Sequence, residues 1–170
     1  MISFRDFKKT DSVSLLAYLN DEKVTQYITN AIPQPYTQED AQWWLNVGSK
    51  ADYIKAIEFN GIFVGCISAT MGCFEYSRSA ELGYWLGRAY WNQGIATQAV
   101  KQFSEMIFSS TDVVRLCVSV VSDNKASIRV LEKNDFTHDA LIEKASFKKG
   151  QFFNECLLSK IAPEALLSVN

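Results

Sequence analysis

Apolar positions change period several times along the chain, and each change marks an element. Ile2 to Phe7 alternates as a first strand, and Thr10 or Asp11 is placed to cap a helix carrying Leu15, Leu16 and Leu19. A second helical stretch runs near Glu22 to Ile28 and stops before Pro33 and Pro35. Thr37-Gln38-Glu39-Asp40 has the form of a capping box, opening a helix with Ala41, Trp44 and Leu45 on one side. From Tyr53 the period falls to two: Tyr53, Ala56 or Ile57 and Phe59 lead into Asn60-Gly61, with Ile62 to Ile67 beyond. Asn-Gly between apolar runs predicts a hairpin, because both central turn positions need positive φ.

A third strand covers Ser79 to Leu86, and then Ala96, Ala99, Val100, Phe103 and Ile107 recur at helical spacing. Val113 to Val121 is nearly continuous in apolar and small residues, as in a strand covered on both faces. Strand, helix and strand in this order predict a right-handed parallel crossover. Residues 123–133 read as a short helix with Ala126 and Val130 on one face. A last hairpin joins Thr137–Lys148 to Gln151–Ile161 at Lys149-Gly150. The count is about seven strands and four or five helices, an α+β layered fold with a mixed sheet, in one domain over residues 1–170.

Composition narrows the class. With 170 residues, 48% hydrophobic and 21% charged, the chain is an ordinary globular one. A net charge of −2 and a pI near 5.5 supply no basic field for nucleic acid, so any polyanion site must be local. Cys66, Cys117 and Cys156 lie in apolar strand-like runs as small core side chains, and neither they nor Cys73 form a metal-ligand spacing. Residues 1–6 hold no signal-peptide core, and no apolar run approaches the ~18 residues of a membrane span. The expectation is a reduced cytoplasmic protein without membrane or metal, either monomer or homodimer.

The chemistry centres on Trp91-Asn92-Gln93-Gly94-Ile95-Ala96-Thr97, between a strand and a long amphipathic helix. Gly94 at a helix entry admits a phosphate close to the backbone, and the N–H groups of the first turn carry positive partial charge. Taken alone, the loop fits a plain strand-to-helix turn better than a cofactor site. A nucleotide P-loop is excluded because no Gly-Lys-Ser/Thr follows, and a dinucleotide fold because antiparallel hairpins precede the loop.

Two segments together carry a resemblance. Glu81-Leu82-Gly83-Tyr84-Trp85-Leu86 followed by Tyr90 to Ala99, and later Asn124-x-x-Ser127-x-x-Val130 to Phe136, resemble the GCN5-related N-acetyltransferases, and within them the branch that acetylates ribosomal-protein N-termini. The resemblance implies that fold and acetyl-CoA (coenzyme A) as cofactor. It implies backbone contacts from Gln93, Gly94, Ile95, Ala96 and Thr97 to the pyrophosphate. It further implies pairing of the Tyr84, Trp85 and Leu86 backbones with the pantetheine arm, and contacts from Asn124 and Ser127. It makes Ser127 the candidate proton donor to the leaving sulfur. Three departures stand out: Trp91 opens the loop, Asp135 replaces a common Gly, and a frequent general-acid tyrosine is absent. Asp tolerates positive φ, so the Asp135 turn is expected to survive.

Glu81 is a carboxylate within an apolar strand, facing away from Leu82, Tyr84 and Leu86; it is a candidate base or a solvated bystander. The Trp85 and Tyr84 side chains read as core aromatics, and Asn124 also has the residue type of an N-cap. His138 reads as a surface or turn residue. Arg88, Lys125, Arg129 and Lys133 are available to a 3′-phosphate, and Tyr27, Tyr36, Trp43 and Trp44 to an acceptor or to the core. Weak acid and base candidates suit an α-amine, with pKa about 7.7 to 8.0, better than a lysine amine near ~10.4. The predicted activity is direct acetyl transfer to a protein or peptide N-terminal α-amine. Small amines (a polyamine, an amino acid or an aminoglycoside) are the alternative acceptors, and a non-catalytic acyl-CoA sensor is the alternative class.

Overall fold

The structure is a computed structural model describing residues 1–50 and 53–163. Its strands are β1 (Ile2–Arg5), β2 (Tyr53–Phe59), β3 (Ile62–Met71), β4 (Ser79–Leu86), β5 (Arg115–Val121), β6 (Thr137–Lys148) and β7 (Gln151–Ile161). They form one seven-stranded mixed sheet in the order β1-β2-β3-β4-β5-β7-β6. The helices among the described residues are α1 (Ser12–Leu19), α2 (Glu22–Thr25), α3 (Gln38–Asn46), α4 (Ile95–Ser110) and α5 (Lys125–Glu132), besides short 3-10 turns. The α+β class and the strand count agree with the sequence pattern. Two compact units are distinguished, one of residues 1–68 with 84–99, the other of 69–83 with the chain from Val100 onward.

In the first unit β1 pairs antiparallel with β2, Ile2 opposite Phe59 and Arg5 opposite Ala56. Asn60 (φ 52°) and Gly61 (φ 79°) make the predicted hairpin turn. The capping box forms as expected: Asp40 N donates to Thr37 Oγ1 at 3.3 Å, and Thr37 N donates to Asp40 Oδ2 at 2.8 Å. Phe7, Leu15, Leu19, Tyr36, Ala41, Leu45, Ala56, Phe63 and Cys66 build the buried cluster, with Tyr18, Trp44 and Trp85 packed against it. Burial alone pushes the Cys66 thiol up to about 12, which keeps it a core side chain.

Two expectations change here. Asp11 does not cap α1 with its side chain; it takes both guanidinium prongs of Arg5, at 2.7 and 2.8 Å, while Arg5 Nε donates to Glu58 at 2.5 Å. A bidentate charged pair outweighs one neutral-donor cap bond. The hydrogen bond from Arg5 in turn holds the Glu58 carboxyl below its usual range. The stretch expected to be helical to Ile28 ends at Thr25, where β-branched Val24 and Thr25 give little support for another turn.

In the second unit β4 runs parallel to β5 through the pairs Ser79–Arg115, Ala80–Leu116 and Glu81–Cys117. β5 pairs antiparallel with β7, and β7 with β6, whose turn uses Lys149 (φ 48°) and Gly150 (φ 81°) as predicted. On β5, Leu116, Val118 and Val120 are buried. On α5 the buried residues are Ile128 and Leu131, whereas Ala126 is exposed and Val130 half-buried. The larger apolar groups take the inner face, because they remove more apolar area from water. Along α4 the buried stripe is Ile95, Ala99, Val100, Phe103 and Ile107, so Ile95 rather than Ala96 begins it. The far half of the β6–β7 hairpin leaves Leu141, Ile142, Phe147 and Phe152 exposed, with the two Phe rings 4.9 Å apart.

Candidate active site

In the first unit β4 ends at Leu86, and Gly87 N donates to Val64 O at 2.8 Å. A 3-10 turn, Arg88–Tyr90, follows, and the loop then bends through Asn92 (φ 59°) and Gly94 (φ 74°) into α4. Its own side chains hold it from behind: Trp91 Nε1 donates to Leu86 O at 2.9 Å, and Gln93 Nε2 donates to Ala89 O at 2.8 Å. Helical bonding begins with Gln98 N to Gly94 O at 3.1 Å. Ile95 is buried and anchors the helix, Ala96 and Thr97 are half-buried, and Gln93 and Gly94 are exposed.

Open space lies beside Gly94: a Cβ there would have no neighbour within 4 Å. Gly94 has no side chain to cap the helix, and the positive end of the α4 dipole lies at this open entry. This cradle fits a phosphate-bearing cofactor, since an anion there meets backbone donors without a steric penalty.

Along β4 the alternation is Ala80, Leu82 and Leu86 inward, Tyr84 half-buried, and Glu81 exposed. The Trp85 ring lies edge-on to Tyr18 and to Phe63, each 6.3 Å between centroids, so its side chain is part of the core as expected. Tyr84, Trp85 and Leu86 lie past the three β4–β5 pairs, on the part of β4 whose backbone the resemblance assigns to pantetheine. β3 comes very close there. A Cβ on Gly65 would sit 2.1 Å from Trp85 O and 2.9 Å from Leu86 Cα, so only glycine permits that approach.

In the second unit Glu81 stands opposite Cys117 in the parallel ladder. The Cys117 thiol is raised above its ordinary value, first by burial and then by the charge of Glu81, which leaves it a poor nucleophile. Glu81 is exposed to water, a place that suits either a base or a solvated carboxylate. Asn124 caps α5, its Oδ1 accepting from Ser127 N at 3.2 Å, while the Ser127 side chain is half-buried. Asp135 adopts φ 64°, as its residue type allows. His138 is exposed in β6, 3.1 Å from Glu132 Oε1. Among the aromatics considered for the acceptor, Trp43 is exposed, whereas Trp44 meets Phe7 edge-on at 5.6 Å and Tyr36 is buried, its hydroxyl pushed up to about 12 mainly by that burial.

A strand, a glycine-entered helix and a second capped helix in this order are decided by one comparison: the acetyltransferase (GNAT) domain model matches residues 2–137. The chain belongs to the GNAT acetyltransferase family. It is 25% identical over 171 residues to the uncharacterized N-acetyltransferase p20 of Bacillus licheniformis, spanning 96% of this chain and 94% of that protein. It is 27% identical over 85 residues to the ribosomal-protein-serine acetyltransferase of Escherichia coli, 50% of this chain and 48% of that one. Among solved structures, RimL, a ribosomal L7/L12 alpha-N-protein acetyltransferase in complex with coenzyme A, superposes with a TM-score of 0.81 at 22% identity, over 94% of this chain and 93% of that chain.

Within this GNAT acetyltransferase two contributions to the loop were not read from the sequence. The Trp91 indole serves as a brace on Leu86 O, and the ring of Tyr18 lies against Gly87. Gly65 did carry a readable signal, since glycine inside a strand marks close backbone approach. Tyr18 carried none.

Proposed function

We propose that the chain transfers acetyl from acetyl-CoA directly to a primary amine, with a protein or peptide N-terminal α-amine as the acceptor. The observation that carries this reading is the loop of Asn92 and Gly94 at positive φ, open at Gly94 and continuous with the start of α4. The α-amine assignment draws on the name of the Escherichia coli relative and on the chemistry of the candidate groups.

Gln93, Gly94, Ile95, Ala96 and Thr97 would hold the pyrophosphate through backbone N–H groups, with the Thr97 hydroxyl as a further donor. The backbones of Tyr84, Trp85 and Leu86 would pair with the pantetheine arm as with an added strand. Bound acetyl-CoA supplies the acetyl group as a thioester. Glu81 would accept the proton of the incoming amine through water, and the Ser127 hydroxyl would donate one to the departing sulfur. Neither group has to be strong. An α-amine near pKa 8 is already partly neutral at about pH 7.5, and a thiolate of pKa ~8.5 leaves readily. Positioning would supply most of the rate, with a strand N–H on the developing oxyanion.

A thiol-release assay with acetyl-CoA tests the reading against peptides with free N-termini, polyamines, amino acids and aminoglycosides. Turnover is expected with the peptides. Turnover confined to small amines would move the acceptor to that class, and silence across the panel with intact coenzyme binding would leave a sensor.

A further inference from the structure

The segment from Trp85 to Tyr90 delivers β4 into the phosphate loop, and one side chain from α1 touches it at three places. The Tyr18 ring packs on the Gly87 backbone so closely that a Cβ on Gly87 would lie 2.8 Å from Cδ1 and 2.9 Å from Cε1. The same ring meets Trp85 edge-on at 6.3 Å and Tyr90 edge-on at 6.2 Å, and so contacts the chain before and after the glycine. Its hydroxyl donates to Phe63 O at 3.1 Å on β3. Burial, then the Tyr90 contact, pushes that hydroxyl up to about 12, so it remains a donor throughout the neutral range. Gly87 N is tied to Val64 O at 2.8 Å. The entry of the loop is therefore pinned on one side by β3 and on the other by an aromatic ring.

We propose that Tyr18 is a positioning residue for the coenzyme phosphate loop: its ring, seated on Gly87 and Tyr90, fixes the entry so that Asn92 and Gly94 present the start of α4 to the pyrophosphate. This rests on the acetyl-CoA reading. Such a role is distinct from ordinary core packing, because it acts on the placement of donors rather than on the folded population. Small displacements of a preorganised donor set are costly to binding.

The test compares Tyr18→Ala, Tyr18→Phe, Gly87→Ala and Leu45→Ala by calorimetric affinity for coenzyme A, by melting temperature, and by KM and kcat for acetyl-CoA and acceptor. Tyr18→Ala is expected to weaken coenzyme A by about tenfold or more and to raise the acetyl-CoA KM in step, with acceptor KM within about twofold. Gly87→Ala, which forces a methyl into the ring, should show the same signature. Tyr18→Phe keeps the ring and should stay within about threefold of wild type, a loss of one net hydrogen bond. Leu45→Ala removes a buried side chain of the same core cluster and should lower the melting temperature without altering coenzyme affinity. Should Tyr18→Ala not fold, Tyr18→Leu replaces it with the same expectation. Coenzyme affinity unchanged in the folded Tyr18 variant, or equal weakening by Leu45→Ala, overturns the positioning role while leaving the acetyl-CoA reading standing. Tyr18→Phe as weak as Tyr18→Ala overturns the assignment to the ring. Wild-type protein that does not bind coenzyme A overturns both.

Discussion

The loop before α4 and the turn before α5 each bring a helix start after a strand, yet they are finished in opposite ways. At α5 the helix supplies its own partner: Asn124 Oδ1 accepts from Ser127 N. At α4 the entry residue is Gly94, with no side chain to cap anything, while the polar side chains just before it turn backward, Trp91 to Leu86 O and Gln93 to Ala89 O. The α5 start satisfies one of its orphan donors with its own side chain, whereas the α4 start, entered through glycine, has no side chain at that position to do so. This difference is why the proposed pyrophosphate site lies at α4 rather than at α5. The Asn124 oxygen accepts one bond in the cap, and its amide NH2 is the donor it would offer a cofactor.

The largest effect should follow from closing the uncapped start. Gly94→Trp puts a side chain on a residue at φ 74° and fills the open approach. Saturating coenzyme A should raise the melting temperature of the wild type and leave that of the variant unmoved; an equal rise in both would remove the phosphate from this loop. Ser127→Ala should slow turnover by about tenfold or more with coenzyme affinity nearly unchanged, as expected for loss of an acid that acts only on the leaving group. Equal kcat in this variant would return Ser127 to a structural role. Next comes the cap. Asn124→Ala should cost about 1 kcal/mol of stability, and Asn124→Asp should restore it because aspartate caps equally well. If the NH2 contacts the coenzyme, Asn124→Asp will regain stability and not affinity; recovery of both would leave Asn124 a cap alone.

How far these sites could be read from residues depends on the range of the forces that make them. The β6–β7 turn at Lys149-Gly150, the Thr37–Asp40 box and the limits of β4 were legible, since turn chemistry and alternation act within a few residues. The glycine loop was legible too, as was its cofactor class once the Asn124 and Ser127 motif stood beside it. Asp11 was misread because its partner Arg5 offers a bidentate charge that local capping rules do not weigh. That Ile128 and Leu131 form the inner face of α5 was not legible, because which residues face inward is settled by what packs there rather than by the helix alone. Tyr18 on Gly87 lies beyond any pattern, the two being distant in sequence and joined only by packing.

The smallest effect is expected from Trp91, and it tests whether the backward bonds matter to the uncapped start. Trp91→Phe keeps an aromatic ring but removes the five-membered part of the indole, and with it the N–H that reaches Leu86 O. A net hydrogen bond is worth roughly 0.5–1.5 kcal/mol, and the lower end applies here because Trp91 is 39% exposed, so water can reach the carbonyl it leaves. Half a kilocalorie corresponds to about a twofold change in an equilibrium, at about 1.4 kcal/mol per tenfold. If the bond steadies the loop for its ligand, that twofold should appear in coenzyme A affinity measured by calorimetry, with the acceptor KM unchanged. If instead it only ties the chain to the end of β4, the loss should appear in the denaturation midpoint and leave coenzyme affinity alone, and the contrast between α4 and α5 would then rest on Gly94 without help from its neighbours.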